Sequence, residues 1–191
     1  EGWTGTFEQK TNEDQPDTRV IDAISDALAG SDEDLLGDLD ETIDLDAFFT
    51  FWAVETITAH WDGYAGNTNN FHLYGDPSSG KAYFIPWGTD GTFIEPLMLF
   101  EDRYAPRSIN AAGLLARRLY LHPEGQERYL EHLLYLLDVH WDAEELQESI
   151  QDMSNVFGPS VPDEEIDWVQ ESLDETQSFI DGHAGLIRSE I

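Results

Sequence analysis

The chain has 191 residues, enough for one medium domain with a substantial core, and its 40 Asp plus Glu against 9 Lys plus Arg give a formal net charge of -31. So acidic a surface repels nucleic-acid phosphates and anionic membranes, which both need clustered Lys or Arg, whereas 40% hydrophobic and 12% aromatic residues argue for a globular fold. The lack of cysteine excludes disulfides and thiolate metal sites, and no apolar run approaches the ~20 residues that span a bilayer.

Residues 1–10, EGWTGTFEQK, alternate around Trp3 and Phe7 and are expected to form an edge strand. They carry no signal peptide and read as the middle of a structured protein, so a mature or excised fragment is expected. After the polar link TNEDQPDT, a helix capped at Asp17 or Thr18 places Val20, Ile21, Ile24 and Leu28 on one face and stops at Gly30. Ser31 and Asp34 cap a short helical piece through Leu35 and Leu36. A helix over about 46–59 carries Leu45, Phe48, Phe49, Trp52, Ala53, Thr56, Ile57 and His60 on a wide apolar stripe.

A Gly/Asn-rich loop, HWDGYAGNTNN (60–70), follows at once, and then a hairpin signal: FHLY, the turn GDPSSG, and KAYFIPW. From Ser108 onward the periodicity predicts helices over about 108–121, 123–138 (Pro123 in the first turn), 142–154 (capped by Asp142) and 163–179, the last burying Ile166, Val169, Leu173 and Phe179. A short piece follows Gly182. The fold class expected is α+β, mainly α-helical, with a β-hairpin beside the loop.

The loop carries the chemistry. Phosphoryl transfer needs a carboxylate that orients the attacking hydroxyl, plus an oxygen donor a few residues on for a divalent cation. Asp62, followed five residues later by Asn67, meets that need. Gly63 and Gly66 between them are expected to take positive φ and turn both side chains to one site, and Asn69 and Asn70 add further polar groups at the hairpin mouth. Asp90, in PWGTDGTF at the far end of the hairpin, is the second carboxylate, since a hairpin returns the chain to where it began and Mg²⁺ takes a few oxygen ligands plus phosphates. The candidate set is thus Asp62 as catalytic residue, Asn67 and Asn70 as cofactor-binding residues, and Asn67 with Asp90 as metal ligands.

His60 reads as a packed histidine that steadies the loop. His122, His132 and His140 lack HExxH-type spacing, which argues against a zinc site. Trp52, Trp61, Trp87, Trp141 and Trp168 read as core or loop anchors, and Arg117 and Arg118 as ion-pairing residues. The acidity itself reads as a surface suited to high ionic strength, where the screening length falls to roughly 3 Å at 1 M; cation loading and attraction of a basic protein substrate are the functional alternatives.

The stretch DLDAFFTFWAVETITAHWDGYAGNTNNFHLYGDPSSGKAYFIPWGTDGTF resembles the core of the spore coat protein H (CotH) kinase family, atypical protein kinases of secreted type, and FEQKTN and RRLYLHPEGQERYLEHLLYLL resemble its flanks. The resemblance implies one kinase-like domain over 1–191, equivalent to the C-terminal (large) lobe, with a catalytic core over about 44–93 and a helical tail over about 108–191. It implies an ATP-dependent protein kinase using Mg²⁺ or Mn²⁺, acting on a protein substrate such as a coat or surface protein, and a secreted or cell-surface location. By that resemblance Asp62 is the catalytic Asp, Asn67 a metal-binding or loop-ordering residue, and Trp87–Asp90 the metal motif.

Two departures qualify it. The family often has Asp-x-Asp after Pro-Trp, and here the first of those positions is Gly88, leaving Asp90. Only about 40 residues precede the main helix, acidic and largely helical in pattern with Lys10 the sole lysine, so no full N-terminal lobe is expected within this chain. A non-catalytic, pseudokinase-type surface or coat binding module is therefore the alternative. A third reading makes Asp62 and Asp90 a carboxylate pair acting on polysaccharide, which needs them roughly 5–9.5 Å apart and leaves the asparagines without a role.

Overall fold

A computed structural model describes residues 7–94 and 105–191. The first helix, α1 (Arg19–Ala29), starts where the Asp17 carboxylate accepts the Arg19 amide at 3.1 Å, and buries Ile24, Ala27 and Leu28 against Leu35 and Leu39 of α2 (Leu35–Thr42). Next, α3 (Leu45–Ile57) is capped by Asp44, whose Oδ1 accepts the Ala47 amide at 3.0 Å. It is buried on nearly every side, including Phe48, Phe49, Phe51, Trp52, Ala53 and Ile57, as expected of a helix apolar all round. It forms the axis of the core.

A single-turn helix, α4 (Tyr64–Asn67), lies within the predicted loop, followed by strands β1 (Phe71–Gly75) and β2 (Ala82–Pro86). They pair antiparallel with Phe71 opposite Pro86 and Gly75 opposite Ala82. The reversal is stabilised by Asp76, whose carboxylate accepts the amides of Ser78 and Ser79. The hairpin buries Ala82 and Phe84 and presents Phe84 to Phe48, Phe51, Tyr64 and Phe71, with ring centroids 4.9–5.7 Å apart. This aromatic layer is the floor beneath the loop.

Four helices complete the fold: α5 (Leu114–Leu121), α6 (Pro123–Val139), α7 (Ala143–Phe157) and α8 (Ile166–Glu190). Tyr129 of α6 stacks on Trp52 at 3.7 Å and shares a 2.8 Å hydrogen bond with Thr56. In α8, His183 stacks on Phe179 at 4.2 Å and bonds the Thr56 carbonyl at 2.9 Å, tying α8 to α3.

Four sequence expectations are corrected. Residues 7–10 form no strand, although Phe7 packs edge-on against Phe71; the rest of that stretch lies outside the described residues. The helix expected from 108 begins at Leu114, because the preceding segment is held by long-range bonds: Asn110 O accepts from Trp52 Nε1 (2.8 Å) and the Ala112 amide donates to Ala65 O (2.8 Å). Helix α8 does not stop near Phe179 but runs through Gly182 and Gly185, since packing of Phe179, Ile180, His183 and Ile187 offsets the ~1 kcal/mol that each glycine costs. Its first turns carry exposed Ile166 and Trp168, and Trp87 is also exposed, so neither tryptophan is a core anchor.

Gly113 sits where the Tyr64 ring docks: a Cβ there would lie 2.6 Å from Cζ and 2.9 Å from the hydroxyl oxygen that accepts the Leu115 amide. Gly113→Ala is expected to lower stability by about 1–3 kcal/mol by overpacking, read from the urea midpoint. The charge makes a second prediction. Raising KCl from about 0.1 M to about 1 M shortens the screening length from roughly 10 Å to 3 Å, and the thermal midpoint should rise steadily as self-repulsion among the carboxylates is damped.

Candidate active site

The site is assembled where α3 ends. Ala59 adopts φ +48, and the His60 amide returns to the Glu55 carbonyl at 2.8 Å, so the chain leaves the helix axis and turns back across it. Glu55, 3% exposed, faces this return, its two carboxylate oxygens accepting the amides of Tyr64 (2.9 Å) and Ala65 (2.8 Å). These are amides of the first turn of α4, which has no acceptor for them within itself. Glu55 thus fixes the turn that ends in Asn67.

Burial dominates the titration of Glu55 and pushes its carboxyl up to about 7, against the downward pull of the two amides. His60, 2% exposed, stands 3.8 Å from Glu55 through Nδ1, and its Nε2 bonds Gly88 O at 3.2 Å. The histidine thereby links the 60–70 loop to the segment after β2. Glu55 is the functional residue that sequence reading passes over.

Asp62 lies at the centre of a carboxamide clamp. Asn67 Nδ2 donates to its Oδ1 and Asn70 Nδ2 to its Oδ2, both at 2.7 Å, while Asn69 Nδ2 is shared between the two oxygens at 3.3 and 3.4 Å. Asp62, Asn67 and Asn70 therefore converge as the spacing predicts, and Asn69 joins them. The loop's glycines do so by other means than expected. Neither Gly63 nor Gly66 has positive φ; a Cβ on Gly63 would lie 2.4 Å from Glu55 Oε1, and one on Gly66 2.2 Å from Trp61 O. The left-handed residues are Thr68 (φ +53) and Asn70 (φ +45). A β-branched residue there stores strain of order 1–3 kcal/mol, which the clamp and the surrounding backbone bonds hold in place.

Asp90 stands exposed on a 3₁₀ turn, Thr89–Gly91, and among the described residues no hydrogen bond ties it to the clamp. The turn itself is docked on the loop. The Trp87 amide donates to Asn70 O at 3.0 Å, Gly91 faces the Trp61 indole, and the Phe93 amide donates to Thr58 O at 2.7 Å. Among the described residues no group of three His, Asp or Glu converges as a ready-made cation site. The donors available for a cation are hard oxygens, the Asn67 amide oxygen and the Asp90 carboxylate. Few protein oxygens completed by phosphates suit Mg²⁺ or Mn²⁺, so the residue chemistry fits such an ion.

The fold and site define a mainly helical α+β protein with a clamped aspartate at the mouth of a hairpin. The chain belongs to the CotH kinase protein family, whose model matches residues 2–190. Among curated proteins it is similar to two from Rhizopus delemar: Invasin CotH3, 38% identical over 64 residues (33% of this chain and 11% of the relative), and Invasin CotH2, 26% identical over 139 residues (69% and 23%). The chain spans less than a quarter of the length of either. No helix among the described residues is long and apolar enough to cross a membrane.

Proposed function

We propose that this chain is the large-lobe portion of an atypical protein kinase, one kinase-like domain over 1–191 with a catalytic core at about 44–93 and a helical tail at about 108–191. It moves the γ-phosphoryl group of ATP to a hydroxyl of a protein substrate. The observation that carries the reading is the Asp62 clamp, a carboxylate fixed by neutral carboxamides and open to solvent on one side. The acceptor hydroxyl donates its hydrogen bond to Asp62, its oxygen attacks the γ-phosphorus, the bond to the bridging oxygen breaks to release ADP, and the proton passes to the carboxylate.

The weak Asn69 contacts are the ones an incoming hydroxyl displaces. Asn67 spends its Nδ2 on Asp62, which leaves Oδ1 to hold a divalent cation with Asp90, and Asn70 borders the cofactor pocket with its Nδ2 spent on Asp62 and not on the nucleotide. Mg²⁺ or Mn²⁺ supplies neutralisation of the charge developing on the phosphate oxygens. Membership in the CotH kinase family and the invasin names of the relatives support a secreted or cell-surface setting and a surface or coat protein as acceptor.

Asn69→Ala is accordingly expected to change transfer by less than about threefold, and Asn67→Ala to lower it by at least about tenfold, measured as initial rates with γ-labelled ATP. Titration calorimetry of ATP with Mg²⁺ into the intact protein tests the reading at its base, with saturable heat expected. A second reading, a non-catalytic binding module on the same fold, is favoured by Gly88 standing where the family often has Asp. Absence of heat would overturn the kinase reading in its favour.

A further inference from the structure

Gly88 has φ +57, and its Cα faces the Asn70 side chain so closely that a Cβ would lie 2.9 Å from Cγ, 3.0 Å from Oδ1 and 3.1 Å from Nδ2. That Nδ2 is the atom that holds Asp62 Oδ2 at 2.7 Å. Both backbones are pinned: Asn70 O accepts the Trp87 amide at 3.0 Å, Gly88 O bonds His60 Nε2 at 3.2 Å, and Asn70 is itself left-handed at φ +45. A Cβ at 88 therefore presses on the Asn70 carboxamide, and because that carboxamide holds Asp62 through Nδ2, its yielding loosens the hold on Asp62.

We infer that Asn70 is the positioning residue for Asp62 and that Gly88 is its seat, so that position 88 here serves the clamp and a carboxylate placed there disables the site. The inference rests on the reading of Asp62 as the group that meets the acceptor hydroxyl, and it adds that the glycine marks an alternative arrangement of that site. Asn70 acts through Asp62, so its loss lowers turnover and leaves nucleotide binding intact.

A double-mutant cycle on the intact protein tests it, with Gly88→Ala, Asn70→Ala and the pair. The strain of alanine at positive φ is common to both arms of the cycle and cancels. Two readouts are followed: the side-chain amide resonances of Asn70 and Asn67 in ¹⁵N-labelled protein, without nucleotide, and kcat and KM for ATP.

The expected result is that Gly88→Ala moves the Asn70 side-chain resonance and lowers kcat at least about tenfold with KM within about twofold. In the Asn70→Ala background the same change should cost less than about twofold. Gly88→Asp should lose activity and bind Mn²⁺, followed by its electron paramagnetic resonance, no more tightly than the unaltered protein. The inference is overturned if Gly88→Ala leaves the Asn70 resonance in place, if the two substitutions act additively, or if Gly88→Asp gains Mn²⁺ affinity or turnover. Should the unaltered protein transfer no phosphate, the kinase reading fails by itself, and the resonances and Mn²⁺ affinity still decide the role of Gly88.

Discussion

Glu55→Ala is expected to lower folding stability by about 3–5 kcal/mol, because it removes the acceptor of two buried amides and leaves both unsatisfied beneath the loop. Against a typical total of 5–15 kcal/mol, that is a large fraction. The cost falls on the site before it falls on the fold: Tyr64 and Ala65 lose their anchor, and with them the turn that aims Asn67 at Asp62. Hydrogen exchange should show the amides of 64–67 opening first, ahead of those of α3 and α6.

The same residue gives the protein a pH signature. Burial raises the Glu55 carboxyl from 4.5 to about 7, so between those values the folded state holds a proton that the unfolded chain has released. The Glu55 contribution to stability is thus fully present below about 4.5 and is lost as pH rises through about 7, a change of roughly 3 kcal/mol. Glu55→Gln cannot titrate. The difference in stability between the unaltered protein and this variant should therefore shift by that amount across the window, in favour of the variant as pH rises, and flat difference curves from denaturant titrations would contradict the assignment.

Much of the site was legible because its residues are close in sequence. The Asp62–Asn67 spacing falls within one short turn, and the Asp76–Gly80 reversal announces the hairpin that returns Trp87 to Asn70. The apolar stripe of α3 likewise marks a core helix. What escaped depends on contacts far along the chain or on conformations that composition does not encode. Glu55 lies among apolar residues of α3 and acquires its role only when the chain doubles back nine and ten residues later.

Helix α4 is a single turn, too short for any periodicity to reveal. Ile109 and Ala112 show helical spacing, yet their segment is claimed by Trp52 and Ala65 from other elements. Gly63 and Gly66 suggested left-handed turns because glycine permits them, whereas Thr68 and Asn70 adopt those angles under constraint. Gly88 read as a missing ligand, and only the position of Asn70 shows what its lack of a side chain allows.

The second large effect falls on Asp62. Asp62→Ala removes the acceptor at the centre of the clamp, while Asn67, Asn69 and Asn70 remain beside solvent and can be hydrated. Stability should fall modestly, by about 1–2 kcal/mol as the clamp bonds are lost, whereas the loss of a positioned proton acceptor should lower kcat by about 10²–10⁴-fold with KM for ATP nearly unchanged. The measurement is transfer of γ-labelled phosphate to a protein acceptor by the intact protein, with Mg²⁺ or Mn²⁺, compared with its Asp62→Ala variant. A collapse of transfer with folding and nucleotide binding retained is the predicted result, and transfer at an unchanged rate would contradict the assignment of Asp62.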